Sequence, residues 1–255
     1  MNVLLVDTDG TGLDMAYRAS EAGHKVRWYQ SKEKGKPCKD GDGFTGIEKV
    51  SEWKPHMMWA KSGIIIPLYN NKFLQEFDRY KAFGFPIFSP SYKSAELEIN
   101  RGKGMKALVE AGIEVPQYKT FPSLKEAEDF MWKQQDPYVF KTLGDEEDKS
   151  LSYVSDSAAD MVGQLQRWQK LRMPLKGECM LQEKIDLIAE VGISAWMGKD
   201  GFLEAKNLNF EHKKMLSGDF GPNTGETGTV CQYVKKEKLI DEVLTPMEDM
   251  LKQIG

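Results

Sequence analysis

The sequence predicts an α/β protein in which an open parallel-sheet domain is followed by a smaller lobe of alternating strands and helices. Residues 3–29 give a strand of buried type, a helix ended by Gly23 and a second strand, which is the β-α-β opening of doubly wound domains. Residues 117–186 give the order β-α-β-β-α-β, which is a split β-α-β lobe. The two patterns together predict an α/β fold with α+β lobes.

Length and composition limit the function classes. A chain of 255 residues allows one large or two small domains. The net charge of −4 shows no basic surplus, so nucleic acid is not expected as a partner. The three cysteines lack metal spacing, which predicts reduced thiols in a cytoplasmic protein. We expect no membrane partner, because the chain opens on a strand rather than a signal peptide, and no apolar run approaches the ~18 residues of a transmembrane helix.

The first domain is predicted to cover residues 1–92. A turn of sequence DTDGTG, residues 7–12, joins its first strand to its first helix. This turn has only Gly-x-Gly and is flanked by aspartates, which would repel a pyrophosphate, so a scaffold turn is favoured over a dinucleotide site. Later elements are predicted as a loop over 34–48, a third strand over Met57–Ala60, a loop or edge at Ile64–Pro67, a helix over 71–83 and a fourth strand at Pro86–Phe88.

Ser89-Pro90-Ser91 marks the boundary between the first domain and the remaining residues. Within the lobe, Ser123 with Glu126 three residues later forms a capping box. The elements predicted here are helices over 105–111, 123–134, 157–171 and 236–254, the last kinked at Pro246, and strands over 118–121, 138–143, 150–154, 179–183, 191–196 and 202–205.

The segment Glu211–Gly228, EHKKMLSGDFGPNTGETG, carries the densest group of informative residues. Because glycine and proline disfavour helices and central strands, this composition predicts a loop whose backbone N–H groups can face an anion. Lys213 and Lys214 supply positive charge, and Asn223 and Thr224 can orient a polar substrate. An ordinary surface loop is the alternative that composition leaves open.

The same segment resembles the D-H-K-R…G-D…G-P-N-T-G-G-M-G signature of phosphoribosylamine–glycine ligases, which belong to the ATP-grasp superfamily. The resemblance rests on Glu211–Lys214, Gly218-Asp219 and Gly221–Gly225. The chain departs from it at Lys214, where the family has Arg, and at Glu226-Thr227, where the family has Gly and Met. The resemblance implies an ATP-grasp fold in which residues 117–186 form the lid lobe and residues 93–116 and 187–255 form part of the base lobe.

The resemblance also implies an ATP site. Lys141 stands in an apolar strand, where an ammonium needs a partner or water, although a solvated strand face remains an alternative. In the family this lysine and an Arg near the start of a helix contact phosphates, a hinge holds the adenine, and a glutamate binds ribose hydroxyls. The implied ATP-binding residues are Arg101, Lys141, Gln182, Glu183, Lys184, Ile185 and Glu190.

The signature implies the remaining site residues and the reaction. A carboxylate, glycine in the family, takes the γ-phosphate of ATP to become an acyl phosphate, which an amine, 5-phosphoribosylamine in the family, then attacks. The Gly-rich flap of the family is replaced by the acidic segment 144–150. The implied catalytic residues are Lys213, Asp219 and Asn223, and the implied substrate-binding residues are Lys214, Gly221, Pro222, Asn223, Thr224 and Gly225.

Mg²⁺ would bridge the phosphates, but the Glu-x-Asn ligands of the family are expected beyond residue 255, so no metal ligand is assigned within the chain. This predicts a truncated ligase that binds nucleotide weakly and does not turn over alone. A non-catalytic nucleotide-binding relative is the alternative. A dinucleotide-dependent oxidoreductase is poorly supported, because the glycine fingerprint is incomplete.

Overall fold

The chain forms two compact units, Met1–Ala95 and Glu96–Gly255. The sequence-predicted division after residue 92 lies three residues before this one. The computed structural model describes residues 1–8, 10–31, 38–68, 72–143, 152–173, 175, 177–186, 189–218 and 220–254.

The first unit is built on a parallel sheet, as the sequence predicts. Its strand order is β3-β2-β1-β4, and each neighbouring pair is parallel. The central strand β1 is buried from Val3 to Asp7, which explains its continuous apolar run. The strands are β1 Asn2–Asp7, β2 Lys25–Gln30, β3 Ile47–Val50 and β4 Ile64–Pro67, and the helices are α1 Leu13–Glu21, α2 Met57–Ala60 and α3 Leu74–Ala82. The next helix, α4 Tyr92–Ile99, contains the boundary between the two units.

Two predictions in this unit are wrong. Met57–Ala60 is a helix and not a strand, because the 3₁₀ turn Lys54–His56, with a proline in its first turn, starts the chain in helical geometry. A short apolar run fits a buried helix as well as a strand, so periodicity alone could not decide. Of the two alternatives predicted for Ile64–Pro67, the edge is correct, because this segment is the edge strand that pairs with β1. The region of the predicted fourth strand contributes only an isolated bridge between Ile65 and Ile87, so that prediction is wrong.

The split lobe, residues 117–186, has the predicted order. Its sheet runs β5-β8-β6-β7 with antiparallel neighbours. The Ser123 Oγ accepts a hydrogen bond from the backbone N–H of Glu126 at 3.2 Å, so the predicted cap is confirmed. Ser157 caps the second helix in the same way. The elements from Glu96 to Asp186 are α5 Arg101–Glu110, β5 Tyr118–Phe121, α6 Leu124–Met131, β6 Tyr138–Thr142, β7 Tyr153–Val154, α7 Ala158–Lys170 and β8 Cys179–Glu183.

The lobe has its own core between the sheet and its two helices, which pack against each other. Phe140 and Leu181, on neighbouring strands, are fully buried, and Trp168 of α7 packs against Phe140 with ring centroids 4.8 Å apart and ring planes tilted by 56°. This core fixes the strand β6, which carries Lys141.

The third sheet is antiparallel, with strand order β11-β10-β9. A π-helical turn at Ile240–Leu244 and the helix α8 follow it, so the predicted irregularity lies directly before Pro246. No helix among the described residues is long and apolar enough to cross a bilayer. The elements are β9 Val191–Gly198, β10 Gly201–Leu216, β11 Phe220–Val234 and α8 Thr245–Ile254.

The prediction of a loop at Glu211–Gly228 is wrong, because most of this segment lies in β10 and β11. The register explains how a strand accommodates its glycines. His212 pairs with Gly228, and Lys214 pairs with Asn223. The two pairs are therefore two residues apart on β10 but five residues apart on β11. The glycine-rich stretch therefore forms a wide bulge on an edge strand, which is where a sheet tolerates glycine and proline.

Candidate functional site

Lys141 lies half-buried on β6 and has a specific partner. Its Nζ donates a hydrogen bond to Oε1 of Gln182 on the neighbouring strand β8, at 3.1 Å. Burial lowers the pKa of Lys141, and the positive charges of Arg101 and Lys213 lower it further, while Glu190 opposes the shift. The geometry therefore favours a lysine held inside a site over one on a solvated strand face.

Three cations from separate elements converge at this point. Arg101 comes from the first turn of α5, Lys141 from β6 and Lys213 from β10. Burial also lowers the pKa of Arg101. Asn100 places the arginine, because its side chain caps α5 by accepting from the N–H of Lys103 at 3.0 Å. Like charges held together in a partly buried place are suited to an anion with several oxygens, such as a polyphosphate.

Lys213 is engaged by two carboxylates. It forms an ion pair with Glu190 and a second with Glu211, whose Oε2 lies 3.3 Å from Nζ. The hydrogen bond that Lys213 donates to Glu190 is the main cause of the raised pKa of Lys213. Glu190, which the resemblance assigns to ribose, thus contacts a residue assigned to catalysis. Glu211 was predicted only as part of the signature and not as a site residue, although its spacing of two residues from Lys213 on one strand places both side chains on the same face.

The hinge after β8 is partly used by the lobe itself. The N–H of Glu183 donates to the carbonyl of Gln117 at 2.9 Å, and the N–H of Lys184 donates to the carbonyl of Pro137 at 3.3 Å. The Lys184 ammonium donates to the carbonyl of Ser155 at 3.1 Å. Ile185 has a side chain that is about half exposed, and its N–H has no backbone partner among the described residues. Within the described part of the hinge, the backbone N–H of Ile185 is therefore available to a ligand.

Threonine hydroxyls hold the bulge of β11 against β10. The Thr224 Oγ1 donates to the carbonyl of Lys213 at 2.9 Å. The Thr227 Oγ1 lies within hydrogen-bonding distance of the carbonyls of His212 and Lys214, at 2.8 and 2.9 Å. From the sequence alone, Thr227 is only a departure from the signature. Its role depends on the register of the two strands, which the linear sequence does not show.

Some predicted site residues lie outside this description. Asp219 and the acidic segment 144–150 are not among the described residues, and the side chains of Pro222 and Asn223 are not described. Lys214 is half-buried opposite Asn223, and Gly221 has a φ of +83°, in the region that favours glycine.

The described residues contain neither a metal-binding cluster nor a disulfide. Across the described ranges, no three His, Cys, Asp or Glu side chains are grouped so that they could hold a metal ion. Cys38, Cys179 and Cys231 are free thiols.

The chain is similar to known ligases. No family model matches the sequence. It is 27% identical to the phosphoribosylamine–glycine ligase of Caldanaerobacter subterraneus subsp. tengcongensis over all of this chain and 63% of that protein. Its structure is similar to phosphoribosylamine–glycine ligase from Thermotoga maritima, with a TM-score of 0.67 and 18% identity, covering all of this chain and 60% of the other.

A second solved structure extends the likeness to a nucleotide complex. N5-carboxyaminoimidazole synthetase from Staphylococcus aureus, complexed with ADP, matches 84% of this chain and 55% of its own, with a TM-score of 0.55 and 15% identity. The chain thus spans less than two thirds of the length of each of these three proteins.

Proposed function

We propose that this chain, which has the ATP-grasp fold, forms the nucleotide-binding part of an ADP-forming carboxylate–amine ligase of the phosphoribosylamine–glycine ligase type. The observation that carries the proposal is the convergence of Arg101, Lys141 and Lys213 in a partly buried place. In this assignment residues 1–92 are the N-terminal domain, residues 117–186 are the lid, and residues 93–116 and 187–255 belong to the base lobe.

Arg101 and Lys141 would hold the phosphates of ATP. Positive charges that are partly withdrawn from water interact more strongly with phosphate oxygens than exposed charges do. Phosphate binding would also offset the burial, and then the repulsion from Arg101 and Lys213, that lower the pKa of Lys141. The backbone of Ile185 would pair with the adenine edge, flanked by Gln182, Glu183 and Lys184.

The hairpin β10–β11 would position the substrates. The carboxylate oxygen of a glycine-like substrate attacks the γ-phosphorus, and ADP leaves. The amine nitrogen then attacks the acyl carbon, phosphate leaves, and the amine loses a proton. Lys213, Lys214 and Thr224 would orient these groups together with Asp219 and the backbone of Gly221–Gly225, mainly by fixing geometry and stabilising negative charge.

Magnesium is the metal that this reaction class implies. The two carboxylates at the cluster, Glu190 and Glu211, are both ion-paired with Lys213, and the described residues contain no group of metal-binding side chains. The described residues therefore do not fit a magnesium site, and the roles given above to the side chains do not depend on one.

The test measures ATP binding to the full chain by calorimetry. Lys141→Met is expected to weaken binding at least about tenfold, because one charge-assisted contact to phosphate is lost. The matched control is Lys170→Met, which removes an exposed lysine at the end of α7 in the same lobe and should leave affinity unchanged. Equal affinity of Lys141→Met and the unaltered chain would refute the assignment.

A nucleotide-binding relative without ligase activity is the second candidate. The two carboxylates on Lys213 favour it, because they compete with a substrate for the ammonium. ADP release with glycine and 5-phosphoribosylamine separates the two: binding without ADP release identifies the second candidate. The prediction that the 255-residue chain alone does not turn over is refuted by steady ATP-dependent ligation.

A further inference from the structure

The split lobe has a groove beside the edge strand of its sheet. Strand β5 lies at one end of the order β5-β8-β6-β7, so only one of its two edges is paired among the described residues. The groove is lined by β5 and α6 but not by β8, so it lies on the unpaired side of β5, and its volume is about 540 Å³. Lys141 does not line it, so the groove is separate from the proposed ATP site. The strand contributes Lys119 and Phe121, and α6 with the turn after it contributes Glu126, Asp129, Phe130 and Lys133.

The backbone of β5 offers hydrogen-bonding groups at this edge. In an antiparallel pair, residues whose N–H and C=O groups face the partner strand alternate with residues whose groups face away from it. The N–H of Glu183 donates to the carbonyl of Gln117, so Gln117 and every second residue after it face β8. The N–H and C=O groups of Tyr118 and Thr120 therefore face the unpaired edge, and they have no backbone partner among the described residues.

The base of the groove is apolar. Phe121 is 5% exposed, and its ring centroid lies 5.2 Å from that of Phe130. The Lys119 ammonium lies 5.0 Å from the centre of the Phe130 ring, which places Lys119 on the side of the strand that faces α6. Every polar side chain that lines the groove is exposed or half-buried, so the groove lacks the buried polar groups that orient a compact small ligand.

The charge that the groove leaves unpaired is positive. Lys119 and Lys133 form no ion pair with any described residue. The acidic side chains at the groove have other partners, because Asp129 is paired with Lys125 at 2.9 Å and Glu126 belongs to the cap of α6. Two ammonium groups are thus available to carboxylates of a ligand.

We propose that the groove between β5 and α6 binds an extended peptide segment of a partner protein, in which acidic and apolar side chains alternate along one face. The peptide backbone would pair with the N–H and C=O groups of Tyr118 and Thr120 and so add a strand to the sheet. Side chains at every second position of such a strand point to the same face. On the face toward α6, an apolar side chain would contact the two phenylalanines, and carboxylates two residues away would pair with Lys119 and Lys133.

The test measures binding of two labelled heptapeptides to the full chain by fluorescence anisotropy. Both peptides are acetylated and amidated and carry threonine at alternate positions. The first has glutamate, valine and glutamate between the threonines, and the second has lysine, valine and lysine. The glutamate peptide should bind, and the lysine peptide should bind at least about tenfold more weakly, because two attractive contacts become repulsive.

Two results of this comparison overturn the proposal. One is equal or tighter binding of the lysine peptide. The other is the lack of saturable binding of the glutamate peptide up to about 1 mM. In that case Lys119 would only keep other strands away from the edge, which is a common use of lysine on edge strands.

Thr120→Pro tests the pairing of the backbones. It removes an N–H that faces away from β8, and edge strands tolerate proline at such positions. The Tm should therefore stay near that of the unaltered chain, while the affinity for the glutamate peptide should fall at least about tenfold. Binding that survives this substitution in the folded chain contradicts strand addition.

Lys119→Glu tests the charge contact without a change in the backbone. It should weaken binding of the glutamate peptide at least about fivefold and strengthen binding of the lysine peptide, because one contact changes sign. The matched control is Lys170→Glu, which changes an exposed lysine at the end of α7 that does not line the groove. Equal effects of the two substitutions contradict the assignment.

Two further measurements separate the proposal from its competitors. Dimerisation of the chain that Lys119→Glu abolishes would assign the groove to a second copy and overturn the proposal. Lys141→Met should keep peptide binding, because Lys141 is not at the groove, so this proposal and ATP binding fail independently.

Discussion

Glu128 joins the two helices of the split lobe, and Glu128→Gln is expected to destabilise that lobe. The carboxylate lies on α6, is 6% exposed, and accepts hydrogen bonds at 2.9 Å from both Gln166 and Gln169 of α7. Trp132 Nε1 donates to it at 3.2 Å, and Lys125 lies 3.4 Å away. Glutamine would place an N–H₂ group against these donors, so one acceptor position is lost.

The magnitude follows from the pKa. The hydrogen bonds from Gln166 and then Gln169 lower the pKa of Glu128 from 4.5 to about 2. The full difference corresponds to about 3 kcal/mol of unfolding free energy. Because Lys125 and Trp132 beside the carboxylate are exposed, solvent screening reduces this, and we expect about 1–2 kcal/mol. A carboxyl whose folded pKa is lowered stabilises above its unfolded pKa, so the contribution is present above pH 4.5 and is lost as the pH falls toward 2.

The assay is urea unfolding of both proteins between pH 3 and pH 7. The free-energy difference between the unaltered chain and Glu128→Gln should be largest at pH 7 and fall to less than half at pH 3. The control is Glu110→Gln, which removes an exposed carboxylate 3.6 Å from Lys106 and should change stability by no more than about 0.5 kcal/mol. A difference that is the same at both pH values, or absent at pH 7, would refute this account of the hydrogen bonds.

Two further predictions concern the same lobe. Ser155→Ala should lower the unfolding free energy by about 1–3 kcal/mol, because the buried Oγ accepts the N–H of Tyr138 at 2.9 Å and donates to its carbonyl at 2.8 Å. The control is Ser152→Ala, at an exposed position. Equal stability of the two variants would contradict a stabilising role for the Ser155 hydroxyl. In thiol labelling at pH 8, the exposed Cys231 should react quickly. Cys179 should react only after unfolding, because burial raises its pKa to about 12. Rapid labelling of Cys179 in the folded chain would be inconsistent with the core described above.

The split lobe could be predicted because its signals are local. Ser123 caps its helix within three residues, and apolar residues on α7 recur at helical spacing. Short apolar segments such as Met57–Ala60 carry no such signal, since four residues fit either element. Tertiary context decided that case.

The candidate site was only partly predictable for a different reason. The composition of the signature segment indicates substrate binding, but it does not reveal the register shifts between β10 and β11. The contact between Lys213 and Glu190 joins residues 23 apart in sequence. The burial of Gln30 likewise depends on the turn packed over it, so it could not be predicted from a polar residue at the end of a strand. Each of these features arises from pairing between distant segments.

The threonine contacts across the hairpin fix the backbone of the glycine-rich bulge, so a ligand would not have to order it. Because Thr224 and Thr227 tie the glycine-rich bulge to carbonyls of the facing strand, that backbone is already confined before anything binds. A preorganised backbone gives up little conformational entropy on association, so more of the contact energy remains as affinity. In a free loop these glycines would make the backbone flexible. In this hairpin they form a preorganised surface.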